Sequence, residues 1–396
     1  MSRSALRPAK PRIAAALICG ATALAAGPAT AIDAQRSDVA GFIADMRERH
    51  GFASDVLDSL FAQAESRPVI VEAMSRPAEK TMTWQEYRAR FITDRRITRG
   101  REVARDQAAA LDKAATASGV PTSILLGIVG VETFYGEITG RFRVIDALST
   151  LAFDYEPRAK YFRGELEQYL LMTREEDLDP LDPLGSYAGA MGIPQFMPTS
   201  FRAYAVDGGG DGHRDLWGDW SDVFASVGNY LKVHGWRSGE PVMVTVDVTG
   251  ADLNGLETQK LDLSTTVGAL RARGIKFACG LPDETAAVLI GLDGAQGREY
   301  RVGFANFYAI TRYNRSALYA SAVNDLAEAV QAPVVEPEPA ATEAATATQP
   351  SADAATTATQ PSADAAPPGA ASPQPAEATA PPADSPTQTP GTPSPR

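Results

Sequence analysis

Pro121-Thr-Ser-Ile-Leu-Leu-Gly-Ile-Val-Gly-Val-Glu-Thr-Phe-Tyr-Gly136 is apolar nearly all round a helical turn, and Glu132 is its one carboxylic acid. A helix apolar on every side belongs inside a core rather than on a surface. Proline is tolerated in the first helical turn, and Gly136 marks a stop, so Glu132 is expected in the last turn beside a loop. A lone acid there has two readings. It is a structural Glu paired with an arginine, or it is a general acid whose burial raises its pKa and keeps a proton available near neutrality.

The two ends of the chain differ from its middle. Arg3, Arg7, Lys10 and Arg12 precede an uncharged apolar run from Ile13 to Gly27 and the small residues Ala29-Thr30-Ala31, so residues 1–31 read as a signal peptide. Cys19 lies inside the apolar run after Ile18, where a lipid-attachment motif requires a small residue, so no lipoprotein anchor is expected. Residues 332–396 consist of Ala, Pro, Thr, Ser and Gln with scattered acids, and ATQPSADAA occurs at 347–355 and again at 358–366. Such a segment has too little apolar surface to offset its ordering entropy, and it reads as a disordered tail. Removing both ends leaves a body of residues 35–331, long enough for a sizeable core.

Of the net charge of −12, the leader contributes four basic residues and the tail seven acids with one Arg, which leaves the body at −10. A body of that sign is no expected partner for nucleic acid. Cys279 is the one cysteine after the leader, so no intramolecular disulfide forms, and His50, His213 and His234 are too scattered for a zinc spacing.

Within the body, 35–119 is expected to be helical, with apolar positions Val39, Phe42, Ile43 and Met46, then Val56, Leu57, Leu60 and Phe61, and with Pro77 and Gly100 as breaks. A core part follows over 120–236. Alternation over 241–248, 286–292 and 300–304 predicts short strands in a small α/β part at 237–300, and a helical segment over 301–331 returns to the core. The fold class is α+β, mainly α.

Several stretches carry candidate chemistry. Ser186-Tyr-Ala-Gly-Ala-Met-Gly-Ile-Pro-Gln-Phe-Met-Pro198 mixes small residues, which let a ligand approach the backbone, with aromatic faces suited to sugar rings. Asp207-Gly-Gly-Gly-Asp-Gly-His-Arg-Asp215 has Asp207, Asp211 and Gly212 at positions one, five and six of a calcium loop, and Asp215, Asp219 or Asp222 can complete the shell. Gly209 stands at position three, where such loops carry a ligand. Asn306-Phe-Tyr-Ala-Ile-Thr-Arg-Tyr-Asn314 is dense in polar and aromatic groups.

Together these blocks resemble the lytic murein transglycosylases of family B, bacterial envelope enzymes with a lysozyme-like catalytic core. The matching residues are Gly130-Val-Glu-Thr-Phe-Tyr-Gly136, Gly189-Ala-Met-Gly192 with Gln195-Phe-Met-Pro198, Asp211-Gly-His213 with Leu216-Trp217, Asn229-Tyr230 with His234-Gly-Trp236, and Asn306-Phe-Tyr308 with Ile310-Thr-Arg-Tyr-Asn314. The resemblance implies that Glu132 is the catalytic acid. It implies that Ser186, Gln195, Tyr230, Tyr313 and Asn314 line a glycan groove together with Arg158, Phe196 and Tyr87, and that Asp207, Asp211, His213 and Asp222 form a calcium loop. By the same resemblance the enzyme cleaves the β-1,4 bond between N-acetylmuramic acid and N-acetylglucosamine and closes a 1,6-anhydro ring with one Glu as acid, then base. A monomer is expected, periplasmic and soluble once the leader is removed, with no required cofactor, structural Ca2+ at most, peptidoglycan strands as substrate and cell-wall enzymes as partners. Two rivals remain: a hydrolytic muramidase, which needs a second carboxylate such as Asp154, Glu156 or Glu137, and a peptidoglycan-binding protein without catalysis.

Overall fold

The computed structural model describes residues 30–75, 82–256 and 261–333. Almost the whole of the expected signal peptide, nearly all of the expected tail and the expected break at Pro77 lie outside the described residues. Fourteen α-helices are present among the described residues. The first six are α1 (Ser37–His50), α2 (Ser54–Gln63), α3 (Pro68–Ser75), α4 (Trp84–Phe91), α5 (Asp94–Asp106) and α6 (Ala108–Ser118). Then come α7 (Thr122–Thr133), α8 (Val144–Phe153), α9 (Ala159–Glu175), α10 (Pro198–Tyr204), α11 (Trp220–Val233), α12 (Val267–Ala272), α13 (Ala305–Tyr313) and α14 (Ala317–Gln331).

Because α7 is apolar on every side, it sits at the centre, and α5, α6, α11 and α14 pack around it. Its closest neighbour is α14. A Cβ at Gly127 would lie 2.7 Å from the Val323 carbonyl oxygen, so the missing side chain is what lets the two helices approach. Side-chain caps start the neighbouring elements. Thr83 and Glu86 form a reciprocal capping box on α4, and the Thr93 hydroxyl accepts from the Arg96 amide on α5. Gly100 does not break the chain as expected: it lies inside α5, where the Tyr135 ring fills the space a side chain would take.

The strands are short at first: β1 (Thr30–Ala31) pairs with β2 (Glu65–Ser66), and β3 (Phe142–Arg143) with β4 (Leu184–Gly185). A four-stranded antiparallel sheet follows, made of β5 (Met243–Thr245), β6 (Thr265–Thr266), β7 (Ala286–Gly294) and β8 (Gly297–Gly303) in the order β5-β8-β7-β6. With α12 it encloses a second core of Val267, Leu270, Ile275, Ala287, Leu289, Val302 and Phe304. The strand β8 crosses the border expected at residue 300, so the α/β part extends through Gly303. Its other face joins the main core through Met243, Val288, Ile290 and Leu292, and a buried polar node ties it to the helical body, where Arg301 forks onto Asp325 of α14, Arg88 of α4 adds a bond of 2.9 Å to the same carboxylate, and the Trp84 ring lies under the Arg301 guanidinium.

Candidate active site

The last turn of α7 holds Glu132 half-buried at the edge of the core. The helix does not stop at Gly136. It leaves the right-handed region two residues earlier, with Phe134 at φ 53° and Tyr135 at φ 58°. Left-handed backbone costs a non-glycine residue about 1–2 kcal/mol, so two in succession need support from their surroundings. Some of it comes from Thr133, whose hydroxyl accepts from the Gly136 amide at 3.0 Å and donates to the Ile193 carbonyl at 2.8 Å.

Glu132 faces a set of phenols drawn from three helices. Tyr319 of α14 donates to Glu132 Oε1 at 2.6 Å. Tyr313, at the end of α13, stacks on Tyr319 with ring centroids 6.4 Å apart and donates to the Pro194 carbonyl at 2.6 Å. Tyr230 of α11 lies 4.8 Å from Tyr313 and donates to the Arg312 carbonyl at 2.6 Å. Phe196 meets both, at 5.7 Å from Tyr230 and 5.8 Å from Tyr313. Burial raises all three phenol pKa values, and the Glu132 carboxylate raises them further, so the hydroxyls stay protonated as donors. His234 stacks on Tyr230 at 4.1 Å, and burial lowers its pKa, which favours the neutral ring.

The other expected groove residues support this cluster or stand apart from it. Gln195, itself left-handed at φ 54°, donates to the Thr139 carbonyl at 3.0 Å and the Gly192 carbonyl at 2.9 Å, which ties the loop after Glu132 to the Phe196 segment. The buried Ser186 hydroxyl accepts from the amides of Ala188 at 3.3 Å and Ala190 at 3.1 Å and so shapes the ribbon that bridges to Phe196. Asn314 is buried, and its Nδ2 has no partner among the described residues. Tyr87 lies behind Tyr319 with its ring against Phe91 at 5.0 Å. Arg158 sits on Tyr161 at 4.4 Å and on Phe162 at 5.2 Å, on the α9 side.

Tyr319 was not among the expected residues. A signal was there: a tyrosine among Ala, Val and Leu in a buried helix requires a partner for its hydroxyl. The candidates for a second acid are ion-paired or exposed. Asp154 pairs with Arg36 at 2.7 Å, Glu137 pairs with Arg95 at 2.8 Å, and Glu156 is exposed at the start of a short 3-10 turn.

In the 207–222 loop the carboxylates are taken up by backbone. Asp207 accepts from the amides of Gly210, Asp211 and Gly212, and Asp211 from that of His213 at 3.0 Å. Asp222, 1% exposed, accepts from Gly208 at 2.8 Å, Gly209 at 3.0 Å and Asp215 at 2.7 Å. The oxygen-rich composition suits calcium, and carboxylate oxygens of Asp219, Asp222 and Asp207 lie 2.9, 3.6 and 3.9 Å from where a Gly209 side chain would begin, although no group of three acidic or histidine side chains among the described residues is spaced to hold a metal ion as it stands. Of the expected shell, Asp207, Asp211 and Asp222 use carboxylate oxygens to accept the loop's own amides, and His213 is exposed at the loop's edge.

A buried helix that ends on a carboxyl ringed by phenols, in a mainly helical lysozyme-like body, defines a class of protein that sequence comparison identifies. The family model described as "Transglycosylase SLT domain" matches residues 34–328, and the chain belongs to that family. It is 42% identical over 299 residues to membrane-bound lytic murein transglycosylase B of Escherichia coli (strain K12), covering 73% of this chain and 81% of the relative. The crystal structure of soluble lytic transglycosylase SltB1 from Pseudomonas aeruginosa is similar with a TM-score of 0.70 and 48% identity, covering 74% of this chain and 97% of that one. The Escherichia coli lytic transglycosylase Slt35 in complex with calcium is similar with a TM-score of 0.68 and 40% identity, covering 75% of this chain and 93% of the other. The expected family and lysozyme-like fold are thereby established.

Proposed function

We propose that the chain cleaves the β-1,4 bond between N-acetylmuramic acid and N-acetylglucosamine in peptidoglycan and releases a 1,6-anhydromuramoyl product, with Glu132 as acid and then as base. The observation that carries this reading is the Tyr319 to Glu132 hydrogen bond inside a cluster of aromatic rings, with Asp154 and Glu137 each paired to an arginine. Glu132 protonates the glycosidic oxygen as the bond to the muramoyl C1 breaks. The carboxylate left behind takes the proton of the C6 hydroxyl as its oxygen closes on C1, so the proton balance is restored and no water is consumed. A phenol donor that survives both stages steadies the carboxylate without competing for its proton, since the hydroxyl pKa is raised.

Tyr230, Tyr313 and Phe196 offer ring faces to the sugars, and Ser186, Gln195, Asn314, Tyr87 and Arg158 complete the groove walls. Peptidoglycan strands are the substrate. The site of action is the periplasm, where the enzyme is monomeric and free of the membrane after the leader is removed, and where other cell-wall enzymes are its expected partners. The tail beyond residue 331 is dispensable for cleavage of soluble glycan. Catalysis needs no metal; calcium, where it binds, acts on the 207–222 loop alone, and chelation leaves the turnover rate unchanged.

Glu132→Gln keeps the shape of the side chain and removes its acid. Turnover of purified peptidoglycan is expected to fall by about a hundredfold to ten-thousandfold, the range that general acid-base groups supply. Undiminished lytic activity in that variant would refute the assigned role.

A further inference from the structure

The turn that ends α7 is gripped from a helix that has no part in the groove. Phe134 and Tyr135, the two left-handed residues that follow Glu132 and Thr133, both lie against α5. The Phe134 ring is held between two guanidinium groups, Arg96 at 4.7 Å and Arg95 at 4.8 Å. The Tyr135 ring fills a slot between α5 and α7: a Cβ at Gly100 would collide with its hydroxyl, and a Cβ at Gly130 would come within 2.7 Å of the ring.

Arg96 is the unusual member of this group. It is 8% exposed, and no carboxylate pairs with it among the described residues. Its Nη1 donates to the Arg90 carbonyl at 2.6 Å, its Nε has no partner among the described residues, and its guanidinium also lies 5.0 Å from the centre of the Phe91 ring. Burial lowers its pKa to about 10, so it still carries its charge at neutral pH, and the buried Tyr135 hydroxyl, also without a partner, lies within its electrostatic reach. Glu137 acts on it only at a distance, and a buried cation without a directly paired carboxylate is costly and persists where its contacts are needed. Those contacts are planar stacking on two rings, one of which belongs to the strained turn.

We propose that Arg96 is a positioning residue for Glu132, acting through Phe134 and Tyr135 to hold the left-handed turn and so to fix the angle at which the Glu132 carboxyl meets Tyr319 and the substrate. The proposal rests on the reading of Glu132 as the acid. Rotation of the peptide planes at 134 or 135 is carried directly into the last turn of α7. Binding of the glycan along the aromatic walls does not depend on that angle, whereas proton transfer does.

The test compares wild type, Arg96→Met, Phe134→Leu, the double variant and Glu132→Gln on soluble glycan, each well below its own melting temperature. Arg96→Met is expected to lower kcat about tenfold to a hundredfold with KM within about twofold, and to displace the limb of the pH profile that reports Glu132. The double variant is expected to lose less than the product of the two single losses, since both remove the Arg96–Phe134 stack while Phe134→Leu also removes that of Arg95. Wild-type kcat and an unmoved pH profile in Arg96→Met, whatever its melting temperature, would overturn the proposal. If Arg96→Met does not fold, Phe134→Leu decides: the same loss in kcat supports the proposal, and wild-type kcat overturns it. Retained activity in Glu132→Gln overturns the acid reading itself. An inactive Glu132→Gln beside a fully active Arg96→Met overturns only the positioning role.

Discussion

Two acidic regions of this molecule differ in what holds their carboxylates. In the 207–222 loop, Asp222 accepts three backbone amides and Asp207 three more, so the acids are structural parts of the turns they close. At the end of α7 a single carboxyl emerges from an apolar helix and meets a phenol at 2.6 Å. The amides lower the pKa of Asp207 and favour its charged form, whereas burial raises that of Asp222 against the pull of its own amides. A carboxyl that faces phenols in a partly dry site can give up a proton and take one back.

That contrast can be broken at either end. Next in size after loss of Glu132, Tyr319→Phe removes a hydrogen bond to a charged group, worth about 1.5–3 kcal/mol. It is expected to lower kcat by about tenfold to a hundredfold with little change in KM, measured on soluble glycan. A Tyr319→Phe enzyme with normal kcat would mean that the phenol only packs.

Asp222→Ala strikes the other region and orphans three amides. It is expected to cost about 3 kcal/mol and to lower the melting temperature by about 6 °C or more, with kcat of the folded enzyme within about twofold of wild type. If activity fell while the melting temperature stayed, the loop would be part of the catalytic apparatus and the contrast would fail.

Glu165 of α9 sharpens the same comparison through pH. It is 3% exposed and accepts from the Thr199 amide at 2.9 Å, and burial raises its pKa above the ordinary value. A raised folded-state pKa gives stability that is complete below the unfolded value and is lost as pH rises through the folded one. Glu165→Gln cannot ionise, so the decline of melting temperature with rising pH is expected to flatten in thermal scans across that window. An unchanged slope would show that Glu165 titrates normally.

How much of this could be read in advance differs from residue to residue. The central helix was legible because apolarity on every side leaves no surface face. Phe196 and Tyr313 lie in stretches whose composition already suggests a sugar site, but a role for them and for Tyr230 is fixed only by the family resemblance, since their spacing fits core packing equally well. Tyr319 was missed: its partner lies 187 residues away, and the helix that carries it reads as ordinary core. The exit of α7 was misjudged by two residues because Gly136 is the local signal for a stop, whereas the left-handed Phe134 and Tyr135 are held by α5, a tertiary effect that no window around the turn contains. Gly100 reads as a break for the same reason, since the ring that occupies its missing side chain comes from another element. The calcium loop has the right residue order, and order alone cannot tell whether the oxygens face inward to an ion or are used by the loop's own amides.

The central claim is that one carboxyl acts as acid and then base, so that the muramoyl C6 hydroxyl takes the place of water. Digestion of peptidoglycan in 18O-labelled water, followed by mass spectrometry of the muropeptides, tests this directly. The account predicts 1,6-anhydromuramoyl ends that carry no label. Reducing muramic acid ends with 18O at C1 would contradict it and identify the enzyme as a hydrolase.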